Sequence, residues 1–307
     1  MTQVEKLSPR LFEIYDRLIA DAEGIPPLIE MTPAQARAMI TPMAMARYAS
    51  PAVPDVEIRT KTFASGLQAL VHTSRTAVEG RKIIFLHGGG WVFLSPQVYR
   101  RLCGVIAARC QAQVIAPFYP QSAEAPYPQA LNVLLDFVRS LRHGVPPIVI
   151  GDSAGANMAL VLALKAPEAI GRLGLIYGVF DDDFSTDSHI VNGAGRHPLS
   201  SLEMRWFWHQ YAAHKDFPNG RPWEARPLRG PLDELKVPAV IATAEHDCLR
   251  DDSLALYEML KSHGKDVALH DWPDLYHGCI LHDTFVPEVR PLLNRFLDDV
   301  MDHQKGD

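Results

Sequence analysis

The stretch Gly151-Asp152-Ser153-Ala154-Gly155 sets a serine between residues 146–150, an apolar run that reads as a buried strand, and residues 154–160, which read as the start of a helix. A hydroxyl in so sharp a turn, with small residues on both sides, projects from the edge of a sheet, where a nucleophile is placed. The free N–H groups of the following helix favour negative charge developing there. A second feature, His87-Gly88-Gly89-Gly90-Trp91, ends another apolar run. Three consecutive glycines are costly to order. The chemistry that would require them is a loop whose N–H groups approach a substrate oxygen, an oxyanion hole. A phosphate-binding loop has no support, because no Lys-Ser/Thr follows the glycines and there is no GxGxxG.

A nucleophilic serine needs a base, and the base needs an orienting acid. There are thirteen histidines. In a strand–turn–helix setting of this kind the order is Ser, then Asp or Glu, then His, with acid and base in loops after later strands. That order selects His277, five residues past a strand expected to end near Trp272. The acid stays open, because the segment "AEHDCLRDD" beyond a strand ending at Ala244 offers Glu245, Asp247, Asp251 and Asp252. His270 lies inside its strand and His87 props the glycine loop.

The elements that must position these groups follow from periodicity. Residues 7–49 read as two or three helices, with Leu11, Ile14, Tyr15 and Leu18 on one face, and with Thr32 as N-cap before Pro33. The proline-rich stretch 48–56 reads as a linker. Two strands predicted to pair antiparallel follow, then strands at 82–87, 112–118, 146–151, 172–180, 237–244 and 266–272. Helices are expected at 97–111, 128–142, 154–166, 253–264 and 286–301. Alternation of this kind predicts an α/β fold, a mostly parallel eight-stranded sheet with helices on both faces. The alternation is lost over 181–231, an acidic and then aromatic insertion that carries His189, His197, His209 and His214. Placed after a sheet strand, it is expected to form a helical cap with the N-terminal helices, because open α/β sheets bind ligands beyond the carboxyl ends of their strands. The expected division is 1–50 cap helices, 51–180 and 232–307 core, and 181–231 cap insertion.

Bulk properties restrict the partners. The chain has 307 residues, 47% of them hydrophobic, and a net charge of −6, too mild for a polyanion-binding surface, so no nucleic acid is expected. The four cysteines form no CxxC or Cys/His metal spacing and read as thiols of a reducing compartment. No signal-peptide pattern or long uncharged apolar run is seen. The expectation is a cytoplasmic protein that spans no membrane and needs no metal or organic cofactor.

Together, "HGGGW" (87–91), "GDSAGAN" (151–157), "AEHDCLRDD" (244–252) and "YHG" (276–278) resemble the hormone-sensitive-lipase family of α/β-hydrolases, the bacterial HGGG-motif esterases. "FYPQSAEAPYPQAL" (118–131), "GIPPLIEMTPAQAR" (24–37) and "WFWHQY" (206–211) extend the similarity over essentially the whole chain. The resemblance implies a serine carboxylesterase for short to medium acyl esters, with Ser153 as nucleophile, Asp247 as acid and His277 as base. It implies an oxyanion hole from the N–H groups of Gly89, Gly90 and Ala154, and makes a homodimer an expectation. Trp91, Leu94, Trp206, Phe207 and Tyr211 are expected to border the substrate pocket. The chain departs from the family at Leu94, where glycine is frequent, and at Pro120 and Gln121, where the family carries an arginine. Two rivals remain: an arylformamidase-like amide hydrolase, with the aromatic residues of 206–211 clamping the substrate, and a non-catalytic ligand-binding protein on a hydrolase fold.

Overall fold

A computed structural model of the chain describes residues 8–141, 144–213 and 216–302. The sheet has eight strands in the order β1-β2-β4-β3-β5-β6-β7-β8. The antiparallel entry is β1 (Val56–Thr62), β2 (Gln68–Ser74) and β4 (Gln113–Pro117). From β4 onward β3 (Lys82–Leu86), β5 (Ile148–Asp152), β6 (Arg172–Ile176), β7 (Ala239–His246) and β8 (Val267–Tyr276) run parallel.

The central strands are continuous apolar runs because both of their faces are covered. Ile83 and Phe85 of β3 join Ile148 and Ile150 in a core completed by α3 (Arg100–Cys110) and α9 (Val289–Asp302). Ile84, Leu86 and Val149 face the opposite core, shared with α4 (Gln129–Ser140), α5 (Ala154–Lys165) and α8 (Arg250–Ser262). Helix α5 is buried along its first ten residues, so its sequence is apolar on every side.

Before the sheet come α1 (Pro9–Asp21) and α2 (Pro33–Tyr48). Leu11, Ile14 and Tyr15 form the buried face of α1, and Thr32 caps α2 in a reciprocal capping box with Gln35. The 181–231 region holds α6 (Asp187–Val191) and α7 (Ser201–Tyr211) among short turns. His214 and the end of the C-terminal tail lie outside the described residues.

β6 stops at Ile176, short of the expected 180, and two other strands run beyond expectation. β7 continues past Ala244 to His246, and β8 past Trp272 to Tyr276, because pairing resumes at His246 with Tyr276 after a bulge. His277 therefore follows its strand directly instead of sitting five residues along a loop. Asp247 likewise follows the last paired residue of β7, so the register itself sets the two side by side at the carboxyl edge. No described helix is long and apolar enough to cross a membrane.

Candidate active site

Ser153 sits between the last residue of β5 and the first of α5, with φ 54° and ψ −122°. This left-handed region is unfavourable for a residue with a Cβ. The strain is held by the core on both sides. A Cβ on Gly155 would run into the Leu86 carbonyl, and one on Gly151 into the Gly155 carbonyl, so the flanking glycines let β3, β5 and α5 close around the turn.

Ser153, His277 and Asp247 form one line of hydrogen bonds. Ser153 Oγ lies 2.9 Å from His277 Nε2, and His277 Nδ1 lies 2.7 Å from Asp247 Oδ2. The carboxylate only accepts, so Nδ1 carries the proton and Nε2 is left to accept from the serine. Asp247 is buried; its second oxygen accepts from the Leu249 amide at 2.9 Å. Tyr177 packs against the His277 ring at 4.8 Å. Asn192 donates to the carbonyls of Glu245 and Asp247, tying α6 to the acid's own backbone. The other acids are engaged elsewhere. Asp251 accepts from the Ser188 amide, Asp252 from those of Phe180 and Asp181, and Glu245 from that of Asp274.

The amides of Gly89, Gly90 and Ala154 find no acceptor among the described residues. Gly89 and Gly90 have φ of 110° and 59°. The loop that carries them is supported from below by His87, whose Nδ1 lies 2.6 Å from the Gly88 carbonyl, with Tyr119 stacked on its ring. Burial lowers the His87 pKa to about 4, so it stays neutral. From the far side Arg37 of α2 donates to the Val92 and Ser122 carbonyls, and Gln121 to those of Phe93 and Leu94. Gln121 and Arg37 thus anchor this loop in a chain that lacks the arginine expected at 120–121. A Cβ on Gly90 would overlap the Phe207 ring. Gly90→Ala is therefore expected to displace the loop and lower kcat by about 10²–10³-fold. Partial recovery in Gly90→Ala/Phe207→Ala would locate the fault in that overlap, and a single variant with normal kcat would refute it.

Asp152 was not singled out by the sequence, although an acid beside the serine was in view. It is buried, accepts from the Gly88 amide at 2.8 Å and the Tyr99 hydroxyl at 2.9 Å, and so locks the glycine loop to the serine turn. Burial raises its pKa from 3.8 to about 7, against the hydrogen bonds that lower it. A carboxyl with a raised folded-state pKa binds more protons folded than unfolded, so its contribution to stability falls as pH rises from about 4 to about 7. Asp152→Asn keeps an acceptor for Gly88 and should flatten part of that slope in thermal melts at pH 5 and 8. An unchanged slope would contradict the assignment.

A cavity of ≈ 270 Å³ opens over Ser153 and His277. Leu94 and Phe207 border it. Trp91, Trp206 and Tyr211 are not among its lining residues. Trp91 and Tyr211 are buried and stack face to face at 4.1 Å, and Trp206 lies edge-on to Phe207. Helical spacing over 206–211 alternates inward and outward residues, so one aromatic reaches the cavity while its neighbours are used for packing. Leu28, Ile40, Met204 and Glu203 border the cavity without having been anticipated. Away from it, Glu245, His246 and Asp274 bring one potential metal-ligand atom each within 4.8 Å of one another, a grouping that acidic surfaces commonly form without an ion.

The family model that matches residues 83–281 describes the alpha/beta hydrolase fold. The chain belongs to the α/β-hydrolase family. An acetyl-hydrolase of Streptomyces hygroscopicus is 30% identical over 221 residues, 69% of this chain and 72% of that protein. A carboxylesterase of Mycobacterium tuberculosis is 29% identical over 230 residues, 70% of this chain and 71% of that one. Among solved structures, a thermostable esterase from Pseudomonas putida superposes with a TM-score of 0.87 at 28% identity, covering 98% of this chain and 100% of that one. This α/β-hydrolase is a carboxylic ester hydrolase, and the reading as a non-catalytic binding protein falls.

Proposed function

We propose that this α/β-hydrolase is a serine carboxylesterase for short to medium acyl esters, working through Ser153, His277 and Asp247. The observation that carries the reading is the line of hydrogen bonds, 2.9 Å and 2.7 Å, from the serine through the imidazole to the buried carboxylate. Ser153 Oγ attacks the ester carbonyl carbon as its proton passes to His277 Nε2. Asp247 holds the imidazole in the required tautomer and stabilises the imidazolium. The N–H groups of Gly89, Gly90 and Ala154 receive the oxyanion. His277 returns the proton to the departing alkoxide, which leaves as the alcohol. Water, deprotonated by His277, then attacks the acyl-enzyme and releases the acid and Ser153.

The substrate range follows from a small and mainly apolar cavity. Residues 1–50 and 181–231 act as a cap on the core formed by 51–180 and 232–307; Leu28 and Ile40 come from the first segment, Met204 and Phe207 from the second. The formamide alternative draws on the likeness of His87-Gly88-Gly89-Gly90-Trp91 to the arylformamidase glycine motif and on an aromatic clamp, and of Trp206, Phe207, Trp208 and Tyr211 only Phe207 borders the cavity. p-Nitrophenyl esters of increasing acyl length test the proposal. Wild type should turn over the short and medium members after a burst of acyl-enzyme formation. A folded enzyme inactive on every ester, or one that prefers N-formyl aromatic amines, would overturn it.

A further inference from the structure

Glu203 is out of place in its surroundings. It borders a cavity whose other walls are mostly apolar, Phe93, Leu94, Met204 and Phe207 among them. The Ser200 amide and hydroxyl donate to its Oε2 at 2.8 and 2.7 Å, in the capping box that begins α7. Oε1 accepts from no group among the described residues, and no ion pair is formed there. Among the described residues, neither lysine nor arginine borders the cavity. The other acid on the wall, Asp152, has both oxygens occupied by Gly88 and Tyr99. A capping box uses one oxygen of the glutamate and leaves the second available to a ligand.

We propose that Glu203 makes the cavity charge-selective, so that it takes esters bearing a cationic, alkylammonium-type group and rejects those bearing a carboxylate. The proposal rests on the esterase reading above and specifies its substrate class. Glu203, Phe93 and Phe207 all line the cavity, and the two ring centroids lie 5.4 Å apart, so a cation bound there has a carboxylate and two aromatic rings among its neighbouring residues. Aromatic faces beside a carboxylate suit a weakly hydrated quaternary ammonium group. A carboxylate entering the same space would lose its water, find no cationic partner and approach a like charge. The neutral part of the ester still gains from the apolar walls, so the charge preference is added to ordinary hydrophobic binding.

Two matched series test this, one charged on the alcohol side and one on the acyl side. The first comprises the acetate esters of choline, of its neutral isostere 3,3-dimethylbutanol and of 4-hydroxybutanoate. The second comprises the methyl esters of 4-trimethylammoniobutyrate, of 5,5-dimethylhexanoate and of glutarate as the monoester. Each kcat/KM is divided by that ester's rate of hydroxide hydrolysis, which removes intrinsic reactivity. The wild-type cation-to-anion ratio is expected to reach about 100 in at least one series, and to fall about tenfold or more in Glu203→Gln. Glutamine retains the capping oxygen and removes the charge. Wild-type ratios within about threefold of unity in both series would overturn the proposal without any variant. A large ratio unchanged in Glu203→Gln would overturn the role of Glu203. The neutral isosteres separate the two readings: if wild type fails to hydrolyse them, the esterase assignment falls, and the charge proposal with it.

Discussion

Ser153→Ala is expected to lower kcat on p-nitrophenyl butyrate by about 10⁶-fold, the size of loss that follows from the proposed role of Ser153 as nucleophile of a triad that acts as a unit. The argument is geometric. The alanine Cβ occupies the same position in the turn, and the neighbours that enforce the turn, Gly151 against the Gly155 carbonyl and Gly155 against the Leu86 carbonyl, are untouched. Fold and cavity should therefore survive, with a thermal midpoint close to that of wild type. The residue's φ of 54° is strained for serine and alanine alike, so no strain is relieved by the change. What disappears is the oxygen that lies 2.9 Å from His277 Nε2, the one the proposed mechanism activates. The burst of p-nitrophenol that marks acyl-enzyme formation should vanish with turnover. Residual hydrolysis should reflect the oxyanion amides and binding alone, a modest acceleration over water. A normal burst in the variant would remove Ser153 from the mechanism and direct attention to another nucleophile in the cavity.

Asp247→Asn should cost about 10⁴-fold in kcat while leaving KM and the fold nearly unchanged. Asparagine can still accept from the Leu249 amide through its carbonyl oxygen, which preserves the backbone beyond β7. The other half of the side chain becomes an N–H₂ donor facing His277 Nδ1 at a separation now near 2.7 Å. That nitrogen must then be the unprotonated one, the proton moves to Nε2, and the imidazole can no longer accept from Ser153. The same substitution at Asp251 or Asp252 should not produce this loss, because those carboxylates accept backbone amides of Ser188, and of Phe180 and Asp181. Equal losses at all three positions would mean that the effect is structural and would sink the assignment of Asp247.

Much of the fold was legible because the cues are local or periodic. Thr32 before Pro33 announces a helix start from its own side chain and Gln35. Strands such as 82–86 are apolar throughout because both faces are covered, and that pattern is visible without knowing which strand lies beside which. Strand ends were less legible. Pairing of His246 with Tyr276 depends on two segments thirty residues apart resuming their register after a bulge, and neither segment signals this alone. Pocket membership was least legible. Trp91 stacks on Tyr211 through packing between the glycine loop and α7, a relation that spacing within either segment does not encode.

The sequence by itself determined the serine turn and the glycine loop, since both rest on steric limits among residues a few positions apart. It also determined the alternation of strands and helices, through the periods of 2 and 3.6 that burial imposes on side chains. Spacing left four acids open, a choice that the family resemblance alone gave to Asp247; only the tertiary structure decided the hydrogen bond of Asp247 to His277, that Asp152 ties the two glycine motifs together, and that Glu203 stands in the cavity wall. The physical reason is common to all three. Each is a contact between side chains brought together by strand register or helix docking, and such contacts depend on packing across the whole core rather than on the order of residues along the chain.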